Sequence, residues 1–334
     1  MATLAILTYS TGILQAVQIT AGSSTNWQSA PGGAWAGARQ FTTVPPDFTE
    51  CGAGLDYLGL PLIFATKPVA DLTSPTVYIL GFERAPTATP AIAQLPISPH
   101  SPIWDLAVVR LPDGRNALFC TGADGNLNHL STNAETAPGA LDFPEWTVFQ
   151  PGQLVNSNGA RGLAMPNGPL QLWSLDTNGA IIHSLYTAPN WSPWQSVPAT
   201  GPHGGPAPVL DRIGAALGRP TTAEIMGHTI DVSYPVFLYA TDASGGLWAS
   251  QAAIAPNGDP SSSKPEWRKL TPQHKGDKAL HLNVIQSPTV DGAAEIFVWF
   301  QGNSGAALRT KAQTYASATS LTPIWPAAWK TIAT

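Results

Sequence analysis

Charge is the scarcest property of this 334-residue chain: Asp, Glu, Lys and Arg make up 11% of it, and the net charge is −5. A chain with no basic surplus has no cationic face to lay along phosphates or an anionic bilayer, so nucleic acid and membrane are excluded as partners. Helical periodicity is lacking too. No stretch keeps apolar residues three and four apart over several turns, and almost no helix is expected. No apolar run reaches membrane-spanning length. The two cysteines, Cys51 and Cys120, cannot make a disulfide framework and read as buried thiols, with one bridge between neighbouring units as the alternative. Familiar catalytic motifs are missing: there is no HExxH, CxxC, P-loop or G-x-S-x-G. The histidines never fall at metal-ligand spacing, so neither metal nor cofactor is expected.

What the chain has is turn formers and tryptophan. Gly and Pro number 31 and 32, and Trp 12, a composition suited to many short strands joined by tight turns around a large core. The stretch from Leu170 to Thr200 sets the pattern. LQLWSL alternates as a strand, Asp176-Thr177-Asn178-Gly179 turns, AIIHSLY returns, and a further strand begins around Trp194. Such a unit cannot bury its own faces and needs copies of itself. The copies are present. Hairpin glycines recur at Gly12, Gly125, Gly179, Gly245 and Gly305, and six residues before each stand Ile6, Phe119, Trp173, Tyr239 and Trp299. Four past the glycine, His129 and His183 coincide, with Ala16, Ala249 and Arg309 elsewhere. An outer strand follows at Trp27, Trp146, Trp194, Trp267 and Trp329. A copy at Leu62 to Leu80 lacks both the glycine and the Trp; its inner strand is read as GLDYLG, and Ala85 to Pro102 as loop.

A period of roughly 50–60 residues with four strands each is the range of β-propeller blades. The expected fold is therefore all-β: a single-domain β-propeller over 1–334, with six four-stranded, degenerate blades at approximately 1–30, 51–95, 100–150, 158–200, 209–272 and 280–334. The first residues, MATLAILTYSTGILQAVQ, read as the first hairpin, with its inner strand missing, rather than as a signal peptide, because polar residues interrupt them at strand spacing and no basic segment leads them. That is consistent with a mature secreted chain whose leader has been removed. The sequon Asn190-Trp191-Ser192 matters only in that case.

The run Asp176 to His183 followed by Trp194-Gln195-Ser196 resembles the blade motif of lectin-type β-propellers, the fungal fucose-lectin-like and bacterial PLL-like kinds. Asp242 to Trp248 and Gly122 to His129 resemble it as well. The resemblance implies the propeller fold over nearly the whole chain. Those lectins repeat an Arg, a Glu and an aromatic residue in most blades. Here no acidic residue recurs at a fixed register, so one specialised pocket is a better expectation than six equal sugar sites. The low-charge, degenerate pattern is similar to that of fungal lectin-like propellers of tropolone–terpene pathways that act as hetero-Diels–Alderases.

The candidate site residues are those that break the repeat. Arg110, Arg161, His228 and Tyr234 are the candidate catalytic hydrogen-bond donors, and Asp56, Tyr57, Trp104, Asp105, Glu224 and Asp231 the candidate substrate-binding residues. Asp56, Tyr57, Trp104, Asp105 and Arg110 lie on or near inner strands, Arg161 lies at the corresponding edge of the fourth unit, and Glu224, His228, Asp231 and Tyr234 lie in a long insertion within the fifth unit. A polar residue on an apolar strand must find a partner, so a salt bridge between Asp105 and Arg161 stands beside ligand contact as an equal reading. His129 and His183 are expected to be structural, bonding to a neighbouring strand. Two functions remain: a non-covalent cyclisation of a small molecule in an aromatic-lined pocket, needing no cofactor, or a carbohydrate-binding lectin without enzymatic activity.

Overall fold

The computed structural model describes residues 3–19, 24–36, 39–40, 50–55, 59–66, 77–81, 91–94, 103–111, 116–122, 124–131, 146–150, 152, 154–165, 169–187, 190–260, 264–272, 274–303 and 305–333. Its contacts divide the chain into two compact units, Met1–Gly162 and Leu163–Thr334. The only helical element among the described residues is a single 3₁₀ turn, Pro202–Gly204.

The first unit holds three four-stranded antiparallel sheets, each a meander in chain order. The first comprises Thr3–Thr8, Leu14–Ile19, Ser24–Trp27 and Arg39–Gln40; the second Glu50–Leu55, Pro61–Thr66, Val77–Gly81 and Ala91–Gln94; the third Ile103–Arg110, Asn116–Gly122, Leu127–Ser131 and Thr147–Val148. The strand Val155–Ala164 then carries the chain across the unit boundary and opens the fourth sheet, which continues through Leu170–Asp176, Ile181–Thr187 and the short pieces Asn190–Trp191 and Gln195–Ser196. The fifth sheet is Leu210–Leu217, His228–Asp242, Leu247–Ile254 and Arg268–Leu270, with Thr221–Ile225 paired to the early part of its second strand. The sixth is Lys278–Gln286, Ala294–Gly302, Gly305–Ala312 and Lys330–Ala333. Four-stranded meanders of this kind are propeller blades.

The repeated turn is the device that the sequence spelled out. In Asp176–Gly179 the Gly179 amide donates to the Asp176 carbonyl at 2.9 Å, and the Asp176 amide donates to the Ala180 carbonyl at 2.9 Å. The same pair of bonds closes the turns at Gly12, Gly125 and Gly245. Each needs a left-handed residue at its last position, and each glycine has φ between 76° and 84°. The residue six before the glycine then faces the residue four after it: Ile6 opposes Ala16, Phe119 His129, Trp173 His183, and Tyr239 Ala249. These four are all at most 3% exposed. They belong to strands buried on both faces, which is why such strands read as near-continuous apolar runs.

First strands of neighbouring sheets lie side by side within each unit. Glycine permits the approach. A Cβ on Gly162 would stand 2.1 Å from the Val109 side chain, and one on Gly214 would stand 2.3 Å from that of Val284.

Several expectations shift. The sixth-sheet turn is one residue shorter, with Gly302 opposite Gly305, so Trp299 faces Leu308 and Arg309 faces Val298. A one-residue slip moves a side chain to the other face of a strand; Arg309 therefore does not share the cross-strand position of His129 and His183. The outer Trp residues are also not all equivalent. Trp146, Trp194 and Trp267 each immediately precede the residue opposite the fourth position past the glycine, whereas Trp27 faces Gln15, only three past Gly12, and Trp329 is displaced by a bulge. The second sheet begins at Glu50–Leu55, ahead of the expected GLDYLG, and its fourth strand, Ala91–Gln94, lies in the stretch expected to be loop. The turn expected at Asp71 to Pro75 lies outside the described residues. Cys51 and Cys120 are both buried thiols.

Candidate functional site

The repeat-breaking residues resolve into two groups, one in each unit. In the first unit, Asp105 sits on Ile103–Arg110 and is 1% exposed. A carboxylate taken out of water needs a counter-charge, and Arg161 on Val155–Ala164 supplies it, Nη1 to Oδ2 at 3.1 Å. The same nitrogen donates to the Ala160 carbonyl at 2.8 Å. The Arg161 side chain stays 21% exposed, so it is anchored by Asp105 and remains partly open to solvent. Cys120, on the adjacent strand, has its thiol pushed up by burial first and by Asp105 and Asp124 next. It is not a nucleophile at neutral pH.

At the other end of the Asp105 strand, Arg110 donates through Nη1 to the Leu55 carbonyl at 2.5 Å, and Asn116 donates to the same oxygen at 2.6 Å. Arg110 thus ties the third sheet to the end of the second sheet's first strand. Asp56 and Tyr57, which follow Leu55, lie outside the described residues. Trp104 lies on the Asp105 strand, and its side chain is likewise outside what is described.

In the second unit, the long insertion expected within the fifth blade contains a hairpin. Thr221–Ile225 pairs with the start of His228–Asp242, and Ile225 faces His228 across the two-residue turn Met226-Gly227. Both turn residues have positive φ, 51° and 78°, as such a turn demands. Glu224, His228 and Asp231 are exposed on this hairpin. The Glu224 carboxylate accepts the Thr229 hydroxyl. Tyr234, at the base, is 4% exposed and donates its hydroxyl to Asp231. Its phenol is pushed up to about 12, chiefly by that bond, then by burial and the Asp231 charge. It is a hydrogen-bond donor held in place, not a proton source at neutral pH. The base is further closed by Thr221, whose hydroxyl bonds Ser233 Oγ at 2.6 Å. Two residues earlier, Arg219 donates to the carbonyls of Asp291, Ser317, Ala318 and Ser320, and its guanidinium lies 3.9 Å over the Tyr315 ring.

Other buried polar groups were not singled out as candidates. Arg309 Nη1 meets Asp277 Oδ2 at 2.7 Å with both side chains buried, and Arg212 Nη1 meets His281 Nε2 at 3.3 Å. The signal for the first was a lone Arg on the apolar strand AALRTKA. His183 departs from its expected role. Both ring nitrogens lack a hydrogen-bond partner, and the ring rests on Trp173 at 4.7 Å between centroids. Burial depresses its pKa to about 4, with Asp259 opposing in part. His129 packs between Phe119 and Phe149, at 4.9 and 6.0 Å. Among the described residues, no three His, Cys, Asp or Glu side chains gather as metal ligands.

No protein-family model matches the chain, and no curated protein sequence matches it. Solved structures do. AofleA from Arthrobotrys oligospora superposes with a TM-score of 0.58 at 11% identity, covering 100% of this chain and 86% of that one. Aleuria aurantia lectin, a six-bladed β-propeller with its own mode of fucose recognition, gives 0.55 at 10% identity, covering 100% and 96%. The α-L-arabinanase of Penicillium chrysogenum, solved with arabinobiose, gives 0.60 at 11% identity, covering 93% and 92%. At these identities the likeness establishes the fold alone: the chain is an all-β propeller whose structural neighbours include fungal fucose-binding lectins.

Proposed function

We propose that this propeller holds a small heterodiene and its alkene partner in a single, non-repeated site and promotes their cyclisation by a hetero-Diels–Alder reaction. The observation that carries the reading is the cross-strand partner of the repeated buried aromatic. It is Ala16, His129, His183 or Ala249, never a repeated polar set. A multivalent sugar binder needs the same polar groups in blade after blade, and they are not at this register. The polar groups that do break the repeat are each unlike the others. Arg161 is the best placed of them, oriented by Asp105 and partly exposed. Arg110 is the second proposed donor of the first unit, with Asp56, Tyr57, Trp104 and Asp105 as its proposed binding residues; His228 and Tyr234, with Glu224 and Asp231, are a separate candidate group on the hairpin of the second unit.

The chemistry asks little of the protein. Two reacting halves held at near-attack distance gain several kcal/mol from lost translational freedom alone. A donor to the heterodiene oxygen, the position at which negative charge grows, lowers the barrier by about 2–4 kcal/mol more. Neither contribution requires a nucleophile.

The test is cyclisation of an o-quinone methide, generated in situ, with an electron-rich alkene. Catalysis appears as a rate increase and as enantiomeric excess in a product that forms racemic without protein. Arg161→Lys keeps a cation beside Asp105 but loses the planar fork; it is expected to lower turnover about a hundredfold with little change in Tm. Racemic product at the background rate refutes the cyclase. Sugar binding is the second reading, favoured by neighbours solved with fucoside or arabinobiose. Saturable binding of such sugars at several sites per chain, by calorimetry, would put it first.

A further inference from the structure

The hairpin at 221–233 carries an edge that the fold leaves unpaired. Thr221–Ile225 pairs with His228–Asp242 on one side and, among the described residues, with no strand on the other. Proline 220 precedes the strand rather than interrupting it. Met226 at the tip is 96% exposed, and Ile230 and Val232 are each 42% exposed. Such an edge is a template for another strand.

Register fixes which atoms point outward. A two-residue turn makes its flanking residues, here Ile225 and His228, a hydrogen-bonded pair. Two residues on, Ala223 and Ile230 form the next such pair. Ile225 and Ala223 therefore turn their N–H and C=O groups inward, and Thr222 and Glu224 turn theirs to the open edge.

The geometry points to a second copy of this chain as the occupant: two hairpins joined edge to edge, antiparallel, on a two-fold axis through Ala223. Three features make this edge complementary to its own copy. Antiparallel pairing about a residue is its own mirror in register, so one edge satisfies both sides of an isologous contact. The parity is right: with Ala223 opposite Ala223, Thr222 meets Glu224 of the second copy as a hydrogen-bonded pair, and all the outward groups of both residues are used. The side chains fit as well. The axis pair is the non-hydrogen-bonded kind, where Cα atoms approach closest, and the residue there is alanine. Glu224 faces a threonine hydroxyl, never its own copy, so no like charges are opposed. The joined sheet has four strands, and Ala223 and Ile230 of both copies share one face of it.

Cross-linking tests the register directly. Ala223→Cys is expected to give a disulfide-linked dimer under mild oxidation, since an axis residue meets itself. Glu224→Cys, one position off the axis, is expected to give none; Cys51 and Cys120 are buried. In sedimentation the unmodified chain is expected to be a dimer across a dilution series. Ala223→Arg, which opposes two cations on the axis, should be a monomer with an unchanged Tm. Monomer throughout the series with no Ala223→Cys dimer overturns the proposal. So does a dimer that survives Ala223→Arg, or one that cross-links equally through Glu224→Cys.

Discussion

The Asp105–Arg161 pair and the hairpin at 221–233 caught attention for the same reason: both interrupt a repeat with polar residues. They have opposite physical situations. Asp105 is 1% exposed, its charge held against Arg161 at 3.1 Å inside the first unit. Glu224, His228 and Asp231 stand in solvent on a two-stranded extension of the second. A break in a pattern marks that something has been added, but burial decides what it does. An interior charge constrains its neighbours, whereas an exposed hairpin extends the surface.

Mutation sharpens that contrast. Asp105→Ala removes the charged partner of a half-buried Arg161, and its expected cost is about 1–3 kcal/mol in urea unfolding. Glu224→Ala should stay within about 0.5 kcal/mol. Equal costs for the two would erase the distinction. Acid probes the interior next. His183 has its pKa lowered from 6.5 to about 4 by burial. Between those values the unfolded chain binds the proton and the folded one does not, so folding weakens as pH falls from 6.5 toward 4. The loss is about 3 kcal/mol once both states are protonated. His183→Phe should flatten the stability profile over that window, and a profile unchanged by it would show that another group carries the acid sensitivity. The smallest contrast compares glycines. Gly162→Ala drives a methyl into Val109 and should cost about 1–3 kcal/mol. At Gly227, where φ is +78° and nothing lies within 4 Å, alanine costs only the left-handed strain of about 1–2 kcal/mol, confined to the hairpin. Hydrogen exchange can separate them, because Gly227→Ala should loosen only the hairpin amides.

The turns and the aromatic before each were legible because one backbone geometry imposes both. A left-handed last position demands glycine, and a three-residue turn fixes what faces what. The sixth sheet escaped for the same reason: counting from Gly305 presumed the longer turn. The fourth strand Ala91–Gln94 escaped because an edge strand beside Pro-rich sequence carries neither Trp nor clear alternation. The hairpin carried a readable signal, TTAEI and HTIDV separated by Met-Gly, a two-residue hairpin ending in glycine. Ala223 and Ile225 alternate with polar residues on one strand, and Ile230 and Val232 on the other, but the segment matches no copy of the repeat and therefore reads as insertion. At the site, pairing of Asp105 with Arg161 could be anticipated from buried charge alone. That Arg110 would hold the Leu55 carbonyl could not, since that bond joins residues 55 positions apart on neighbouring sheets.

The fastening of the hairpin's base has a consequence for engineering. Arg219 grips four carbonyls and a tyrosine ring, and Thr221 closes on Ser233, so the register of the fifth sheet is locked before the chain reaches the tip. Nothing crowds Gly227, and Met226 is almost wholly in solvent. Exposed tips of this kind are where inserted sequence is tolerated. The Met226-Gly227 junction is thus a grafting point: an epitope or a small domain spliced there would be displayed on a stalk whose foot is already fixed.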